Sequence, residues 1–220
     1  MTKVDYRLNA LVDGSLTDIG TLPELARIAA QNGATLIQYR DKSASTRLMI
    51  ERAKDIMAAL EPTGIPLVIN DRVDVALAAG ADGVHLGADD MDAQTARQLL
   101  GDRAIIGLTV KNADDAKRAA VAPVDYACIG GVFETVSKVN PDRPVGIDGF
   151  RALRDSLRQQ RPDMPVGAIA GIDLTRTPQV ISAGADGIAV ISAIFRATDI
   201  ALATQEFRNA VDAALAEKRP

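Results

Sequence analysis

The sequence is short of several residue types that particular functions require. Its 220 residues include one cysteine, one histidine and no tryptophan, and aromatic residues make up 3%. A single cysteine cannot form an internal disulfide, and a single histidine has no second histidine or cysteine with which to form a zinc site. The scarcity of aromatic rings argues against surfaces that stack nucleic-acid bases or sugars.

Charge and hydropathy exclude further classes of partner. The formal net charge is -4, and no cluster of Lys and Arg provides a basic patch for nucleic acid or an anionic membrane. No apolar stretch approaches the roughly 18 residues of a membrane span, and the N-terminus lacks the uninterrupted apolar core of a signal peptide. We therefore expect a cytoplasmic protein that acts on small molecules, with no nucleic-acid partner and no membrane partner.

What the sequence does have is a repeated pattern of short aliphatic runs, each followed by a longer segment with helical spacing. Apolar residues make up 47% of the chain, which is enough for a continuous core. The pattern is typical of repeated β-α units around a parallel sheet. The eight predicted strands are Arg7–Val12, Thr35–Tyr39, Pro66–Ile69, Gly83–Leu86, Ala104–Leu108, Tyr126–Ile129, Val166–Ile169 and Gly187–Ile191.

Eight units of this size predict an α/β fold, a single parallel (β/α)8 TIM barrel formed as one domain from residues 1–220. An open doubly wound sheet is the alternative, but it usually has fewer strands, and no G-x-G-x-x-G motif follows the first strand. The segment AGADG occurs at residues 79–83 and again at 183–187. In each copy the first glycine suits the left-handed end of a helix and the second suits the start of the next strand.

Chemistry in such barrels takes place where the strands end, and polar residues gather there in this sequence. The second strand leads into QYRDK, where strand alternation puts Gln38, Arg40 and Lys42 on one side. The guanidinium fork of Arg and the point charge of Lys both suit phosphate oxygens. The alternative is a solvated strand end in which Arg40 pairs with Asp41.

Carboxylates follow the next two strands. Asp71 comes directly after Asn70 at the end of the third strand, and Asp90 follows the fourth strand. Mg²⁺ is usually held by one or two carboxylates together with waters and phosphate oxygens, so the pair predicts a magnesium site. The alternative is that each aspartate caps the helix that follows. His85, within the fourth strand, is expected to have a packed, hydrogen-bonded role ahead of a catalytic one.

Hydroxyls, glycines and one more cation follow the later strands. The polar segment Phe133–Gly149 is predicted to be a mobile active-site loop. Strands seven and eight end where barrels often form a phosphate site from backbone N–H groups, and Ser192 is predicted to cap the short helix that follows. The groups after strands five to eight that are predicted to bind phosphate are Thr109, Gly130, Gly131, Thr135, Ser137, Lys138, Gly171 and Ser192.

Together these segments resemble the thiamine-phosphate synthase family over nearly the whole chain. The similarity lies in QYRDK at 38–42, PLVINDRVDVALAAGADGVHLGADD at 66–90, IIGLTV at 105–110, TVSK at 135–138 and GADGIAVISAIF at 184–195. The resemblance implies a transferase on this barrel that uses Mg²⁺. Its substrates would be a pyrimidine diphosphate and a thiazole phosphate, and its products thiamine monophosphate and diphosphate.

The resemblance also implies roles for individual residues. The residues implied to contact the pyrimidine diphosphate are Gln38, Arg40, Lys42, Asn70, Thr109 and Lys138, of which Arg40, Lys42, Thr109 and Lys138 are catalytic. Those implied to hold the thiazole phosphate are Thr135, Ser137, Gly171, Ile191 and Ser192, and Asp71 with Asp90 would hold Mg²⁺. Catalysis would then consist of stabilising the charge that grows on the leaving diphosphate, with no protein nucleophile.

The chain departs from the family pattern at five positions, and two other functions stay open. The family usually has Gln, Ser, Pro, Thr and Gly where this chain has Ala88, Thr109, Gly131, Ser137 and Ala170. One alternative is a thiazole tautomerase on the same barrel, which needs no Mg²⁺ and would use a base such as His85. The other is a catalytically silent barrel that binds thiazole phosphate. The carboxylates and cations named above count against the tautomerase, and a homo-oligomer is compatible with the sequence.

Overall fold

The computed structural model of the protein describes residues 4–18, 20–135 and 143–218. In this part of the chain, eight parallel strands β1 to β8 form a closed barrel in chain order, and β1 pairs with both β2 and β8. Helices alternate with the strands along the chain. The prediction of a parallel (β/α)8 barrel is therefore confirmed.

The strands lie within two residues of their predicted bounds. They are β1 Leu8–Asp13, β2 Leu36–Arg40, β3 Leu67–Asn70, β4 Gly83–Leu86, β5 Ile105–Val110, β6 Tyr126–Ile129, β7 Val166–Ile169 and β8 Gly187–Val190. The predictions for β4, β6 and β7 match the structure residue for residue. Strand β5 extends two residues beyond its predicted end, which places Thr109 within the strand itself.

The helices pack around the outside of the barrel. They are α1 Leu22–Gln31, α2 Thr46–Leu60, α3 Val73–Ala79, α4 Ala93–Leu100, α5 Ala113–Val121, α6 Gly146–Gln160, α7 Thr177–Ser182, α8 Ser192–Phe195 and α9 Ile200–Ala216. Short 3-10 turns occur at Gly14–Asp18 and Glu61–Thr63. Among the described residues, no helix has both the length and the apolar character needed to cross a membrane.

The predicted loop Phe133–Gly149 is shorter than expected. Helix α6 begins at Gly146, so the last four residues of that segment are helical and the predicted end of the loop is wrong. Residues 136–142, which include the predicted site residues Ser137 and Lys138, lie outside the described residues.

The core has an outer and an inner part. Aliphatic side chains fill the layer between strands and helices, and a smaller cluster fills the inside of the barrel. The rings of Tyr6 and Tyr126 pack against each other inside the barrel with centroids 4.6 Å apart and planes tilted by 35°, and Gly167 and Gly107 leave the space that these rings occupy. Cys128 lies beside them, and burial raises the pKa of its thiol to about 12.

Both AGADG segments have the predicted conformation. Gly80 ends α3 with φ of 76°, and Gly184, which follows α7, has φ of 109°. These are left-handed conformations that favour glycine. Gly83 and Gly187 are the first residues of β4 and β8.

Candidate active site

The carboxyl ends of the strands surround two adjoining cavities. The central cavity has a volume of about 150 Å³ and lies over the inside of the barrel. The acidic cavity, of about 250 Å³, lies beside it, around the ends of β2 to β5. Thr109 and Lys111 line both cavities. The other residues that line the acidic cavity are Lys42, Asp71, Gly87, Ala88, Asp89, Asp90 and Asp115.

Most of the predicted site residues meet at these cavities. Those that line the central cavity are Gln38, Arg40, Thr109, Thr135, Gly171, Ile191 and Ser192. Those that line the acidic cavity are Lys42, Asp71, Asp90 and Thr109. Asn70 is the last residue of β3, partly buried and in register with His85 of β4, and it belongs to the lining of neither cavity as described.

Arg40 is held at the barrel mouth, the end of the barrel where the strands have their carboxyl ends, by a carboxylate from the neighbouring strand. The pairing of β1 with β2 puts Asp13 opposite Arg40, and the guanidinium donates to the Asp13 carboxylate. The two side chains are 15% and 11% exposed. Burial alone would raise the pKa of Asp13, but hydrogen bonds from Ser15 and Arg40 outweigh it and hold that pKa below its usual range. Asp13 was not among the predicted site residues, although it ends a strand beside an arginine.

Asp41 does not pair with Arg40, so the alternative based on that pair is wrong. Its buried carboxylate accepts hydrogen bonds from the Tyr39 hydroxyl at 3.1 Å and from Arg52 Nη1 at 2.7 Å. The backbone N–H groups of residues 43 and 44 also donate to it. Burial raises the pKa of Asp41, but these hydrogen bonds together lower it below its usual range. Asp41 therefore fixes the loop that carries Lys42.

Asp71 and Asp90 form a carboxylate pair in the acidic cavity. The two side chains are within hydrogen-bonding contact, Lys42 donates to Asp71, and the backbone N–H of Gly87 donates to Asp90 Oδ2 at 2.6 Å. Burial and the charge of Asp71 raise the pKa of Asp90. Burial alone would also raise the pKa of Asp71, but Lys42 and Asp90 outweigh it and lower that pKa. Two carboxylates in contact repel each other when both are ionised, unless a cation lies between them.

Neither member of the pair caps a helix, so the capping alternative is wrong for both. Helix α3 begins at Val73, and the position before it makes no side-chain capping bond. Helix α4 is capped by Asp92, whose carboxylate accepts from the backbone N–H of Thr95 at 2.9 Å. The carboxylates of Asp71 and Asp90 are therefore turned towards the acidic cavity and not towards the helix starts.

Two residues at the mouth have left-handed backbone conformations without being glycine. Asp71 has φ of 66° and Ala170 has φ of 87°, and within the described residues they are the only such cases. Aspartate tolerates this conformation better than alanine does. Such strain concentrates at functional sites, where surrounding contacts impose it. For Asp71 one such contact is the hydrogen bond from its backbone N–H to the His85 carbonyl, at 2.7 Å.

In the described part of the chain, the carboxylate pair does not belong to a larger group of metal ligands. Among the residues that the structure describes, no three His, Cys, Asp or Glu side chains are grouped so that they could share a metal ion. Two carboxylates alone suit Mg²⁺, which keeps several waters and takes substrate phosphate oxygens as its remaining ligands. They do not suit a structural zinc site, which takes four protein ligands.

His85 connects the inside of the barrel to the mouth. Its Nδ1 lies 2.9 Å from the Tyr126 hydroxyl and its Nε2 lies 2.9 Å from Thr109 Oγ1. The side chain is buried, with 7% of the residue exposed. His85 therefore has the packed, hydrogen-bonded setting that the sequence led us to expect, and it fixes the position of the Thr109 hydroxyl.

The opposite side of the mouth presents backbone groups and hydroxyls. Gly171 has φ of 63°, and a Cβ there would collide with the backbone of Glu134. Helix α8 begins at Ser192, and Ile191 before it makes no side-chain capping bond. The prediction that Ser192 caps this helix is therefore wrong, because Ser192 is the first helical residue. The backbone N–H groups of Ile194 and Phe195 donate to the Ile191 carbonyl at 3.2 and 3.0 Å, and a helix start of this kind favours anions.

Lys111 was missed by the sequence reasoning. It follows β5, two residues after Thr109, and it lines both cavities. The signal was present, because strand alternation puts residues 109 and 111 on the same side.

A closed parallel barrel whose mouth brings together carboxylates, cations and a helix start belongs to the class of (β/α)8 enzymes that handle phosphorylated small molecules. The family model for thiamine monophosphate synthase matches residues 8–194. The chain belongs to the thiamine monophosphate synthase family.

Similar proteins agree with this assignment. The thiamine-phosphate synthase of Agrobacterium fabrum strain C58 is 72% identical over 220 residues and covers 100% of both chains. The thiamine-phosphate synthase of Chloroflexus aurantiacus is 42% identical and covers 93% of this chain and 92% of its own. The predictions of the family and of a transferase enzyme are confirmed.

Solved structures agree on the fold. The thiamine phosphate pyrophosphorylase of Pyrococcus furiosus has a TM-score of 0.85 at 36% identity, covering 98% of this chain and 100% of its own. The orotidine 5'-phosphate decarboxylase of Pyrococcus horikoshii has a TM-score of 0.65 at 15% identity, covering 93% and 99%. The second likeness concerns the barrel alone.

Proposed function

We propose that this protein is a magnesium-dependent thiamine-phosphate synthase. It transfers the hydroxymethylpyrimidine group from its diphosphate to the nitrogen of thiazole phosphate, giving thiamine monophosphate and diphosphate. The observation that carries the proposal is the acidic cavity, where Asp71 and Asp90 lie in contact beside Lys42 and which shares Thr109 and Lys111 with the central cavity. Family membership and the names of the relatives support the same reaction.

The carboxylate pair fits Mg²⁺. Asp71 and Asp90 would hold the ion, because burial and contact with Asp71 raise the pKa of Asp90 and a cation would stabilise both carboxylates in their charged form. When bound, Mg²⁺ would neutralise charge on the diphosphate and stabilise it as a leaving group. Lys42 donates to Asp71, so the positive charge of Lys42 lies beside the proposed metal site.

The side chains around the acidic cavity act on the leaving group. The bond between the pyrimidine methylene carbon and the diphosphate oxygen breaks, and its electron pair goes to the diphosphate. Arg40 and Lys42 stabilise this growing charge, since preorganised charges contribute most where charge develops. Lys138 is proposed to act with them, on the family resemblance, and the hydroxyl of Thr109, fixed by His85, contacts the same group.

The central cavity positions the second substrate. The lone pair of the thiazole nitrogen forms the new bond to the methylene carbon, which carries a resonance-stabilised positive charge once the diphosphate has left. Thr135, Gly171, Ile191 and Ser192 line this cavity and are proposed, with Ser137, to hold the thiazole phosphate. Catalysis here consists of orientation, and no protein nucleophile is needed.

The two alternatives account for less of the mouth. A tautomerase would use His85 as a base, but both of its ring nitrogens are within hydrogen-bonding distance of Tyr126 and Thr109. A silent binder of thiazole phosphate leaves the carboxylate pair and Lys42 without a use. The synthase reaction uses both halves of the mouth.

The direct test is product formation by the purified protein. Pyrimidine diphosphate and thiazole phosphate are supplied together and singly, with Mg²⁺ and with a chelator. The proposal predicts equal amounts of thiamine monophosphate and pyrophosphate, only with both substrates and only with Mg²⁺. Thiazole isomerisation without condensation would contradict the proposal and favour the tautomerase, whereas binding of thiazole phosphate without any product would favour the silent binder.

A further inference from the structure

Lys111 lies where the two cavities of the mouth meet, and it is partly buried there. It was not among the residues that the family resemblance implied. We propose that Lys111 is a further catalytic residue, which binds the diphosphate on the side of the carboxylate pair opposite Lys42. The inference rests on the proposed function, since it concerns the leaving group of that reaction.

The order of strands around the barrel supports this position. Lys42 follows β2, Asp71 follows β3, Asp90 precedes α4 after β4, and Lys111 follows β5. Because neighbouring strands in the barrel are consecutive in the chain, the two aspartates lie between the two lysines. A diphosphate held at the carboxylates is repelled by their charge, and cations on both sides offset that repulsion.

The backbone of Lys111 is fixed before any substrate binds. The carboxylate of Asp115, which is buried, accepts from the Lys111 backbone N–H at 2.9 Å. Asn112 caps α5 by accepting from the backbone N–H groups of Asp114 and Asp115 at 3.0 and 2.9 Å. These bonds hold the start of α5 against the end of β5. The lysine side chain therefore extends from a backbone that is already fixed, which lowers the entropy lost when the side chain binds an anion.

The junction of the cavities is also the place where the reacting bond must lie. The diphosphate belongs at the carboxylate pair, and the pyrimidine ring must reach the central cavity to meet the thiazole. A side chain that lines both cavities, as Lys111 and Thr109 do, is next to the bond that joins the two parts. A lysine charge at this point favours the separated diphosphate over the intact substrate.

The experiment compares Lys111→Gln with Lys117→Gln. Lys117 is a matched control, because it lies on α5, is 70% exposed and pairs with Asp114 at 3.2 Å, outside both cavities. Calorimetry measures the affinity of each protein for pyrophosphate in saturating Mg²⁺. Steady-state kinetics measure kcat/KM for the pyrimidine diphosphate and the KM for thiazole phosphate. Lys111→Arg is included as the variant that keeps the charge.

We expect Lys111→Gln to weaken pyrophosphate binding by about tenfold to a hundredfold, the usual effect of losing a hydrogen bond to a charged group. The value of kcat/KM for the pyrimidine diphosphate should fall at least as much, while the KM for thiazole phosphate stays unchanged. Lys111→Arg should recover most of the pyrophosphate affinity, and Lys117→Gln should match the wild type.

Unchanged pyrophosphate affinity in a folded Lys111→Gln variant would overturn the inference. An equally large rise in the KM for thiazole phosphate would also overturn it, because it would indicate a general distortion of the mouth. A different result would contradict the proposed function. That result is a wild-type protein that binds magnesium pyrophosphate but forms no thiamine monophosphate. In that case a loss of pyrophosphate affinity in Lys111→Gln still supports the contact.

Discussion

The two halves of the barrel mouth present charge in different ways. The half formed after β1 to β5 uses side chains, namely the ion pairs of Asp13 with Arg40 and of Asp71 with Lys42. The half formed after β7 and β8 uses Gly171 and the first turn of α8. Side-chain cations and carboxylates can hold a metal and a highly charged group, whereas backbone N–H groups suit a single phosphate that only needs to be positioned.

This contrast matches the chemistry that the proposed reaction needs on each side. The diphosphate gains charge as it leaves, so its half of the mouth benefits from full charges. The thiazole phosphate keeps its charge throughout, so strong cations there would bind substrate and transition state equally. Variants in the two halves should therefore change different kinetic constants.

The largest effect is expected for the carboxylate pair. Asp71→Asn and Asp90→Asn should each lower kcat/KM with Mg²⁺ by about a hundredfold to a thousandfold, because each removes a charge from the proposed metal site. Diphosphate release measured over a range of Mg²⁺ concentrations checks this. Asp55→Asn is the matched control, since Asp55 is exposed on α2 and lines neither cavity. An unchanged Mg²⁺ dependence in both variants would remove the metal assignment.

A large effect on stability is expected at Asp41. The Asp41→Asn variant should lose about 2 to 3 kcal/mol of free energy of unfolding near neutral pH, because it weakens a buried ion pair with Arg52. The pKa of Asp41 is lowered in the folded state, so its contribution is present above the usual value of 3.8 and is lost as the pH falls through the folded value. Urea unfolding across this range checks the sign.

The difference in stability between wild type and Asp41→Asn should therefore shrink in acid. A difference that grows as the pH falls would contradict this account of the Asp41 carboxylate.

A smaller effect is expected from the anchor of Arg40. The Asp13→Asn variant weakens the ion pair that holds the guanidinium at the mouth, so kcat/KM for the pyrimidine diphosphate should fall by about tenfold. The KM for thiazole phosphate should not change. Asp18→Asn is the control, because its ion pair with Arg196 is exposed. Equally large changes in the kinetic constants for both substrates would show that Asp13 supports the whole mouth. They would contradict the separation of function between its two halves.

The smallest effect is expected in the glycine half. Ala170 adopts φ of 87°, which is strained for alanine, and the family pattern usually has glycine there. Ala170→Gly should raise the free energy of unfolding by about 0.5 to 1 kcal/mol, since the relief of strain exceeds the entropy cost of glycine. Thermal and urea unfolding measure this, and a destabilised variant would contradict the assignment of strain to residue 170.

The sequence was sufficient for the barrel and for most of the residues at its mouth. Eight aliphatic runs, two of them entered through an AGADG joint, predicted every strand, because the hydrophobic pattern alternates with helical spacing along the whole chain. Strand ends then located Arg40 and Asp71, since side chains at the carboxyl ends of a parallel barrel converge.

The partners of these residues were harder to predict because they depend on strand register. Asp13 meets Arg40 only through the pairing of β1 with β2, and Lys111 reaches the acidic cavity only because β5 lies next to β4. The expected alternative of Arg40 with Asp41 was in conflict with strand alternation, which puts consecutive residues on opposite sides. The prediction that Ser192 caps α8 was wrong because the helix begins at Ser192 itself, one residue earlier than a cap at this position requires.

A crystal structure with Mg²⁺, pyrophosphate and thiazole phosphate bound together would show which half of the mouth holds which group. We expect pyrophosphate and the metal between Asp71, Asp90 and Lys42, and the thiazole phosphate at Gly171 and Ser192. Pyrophosphate bound at Gly171 and Ser192, with no metal at the two aspartates, would contradict this assignment.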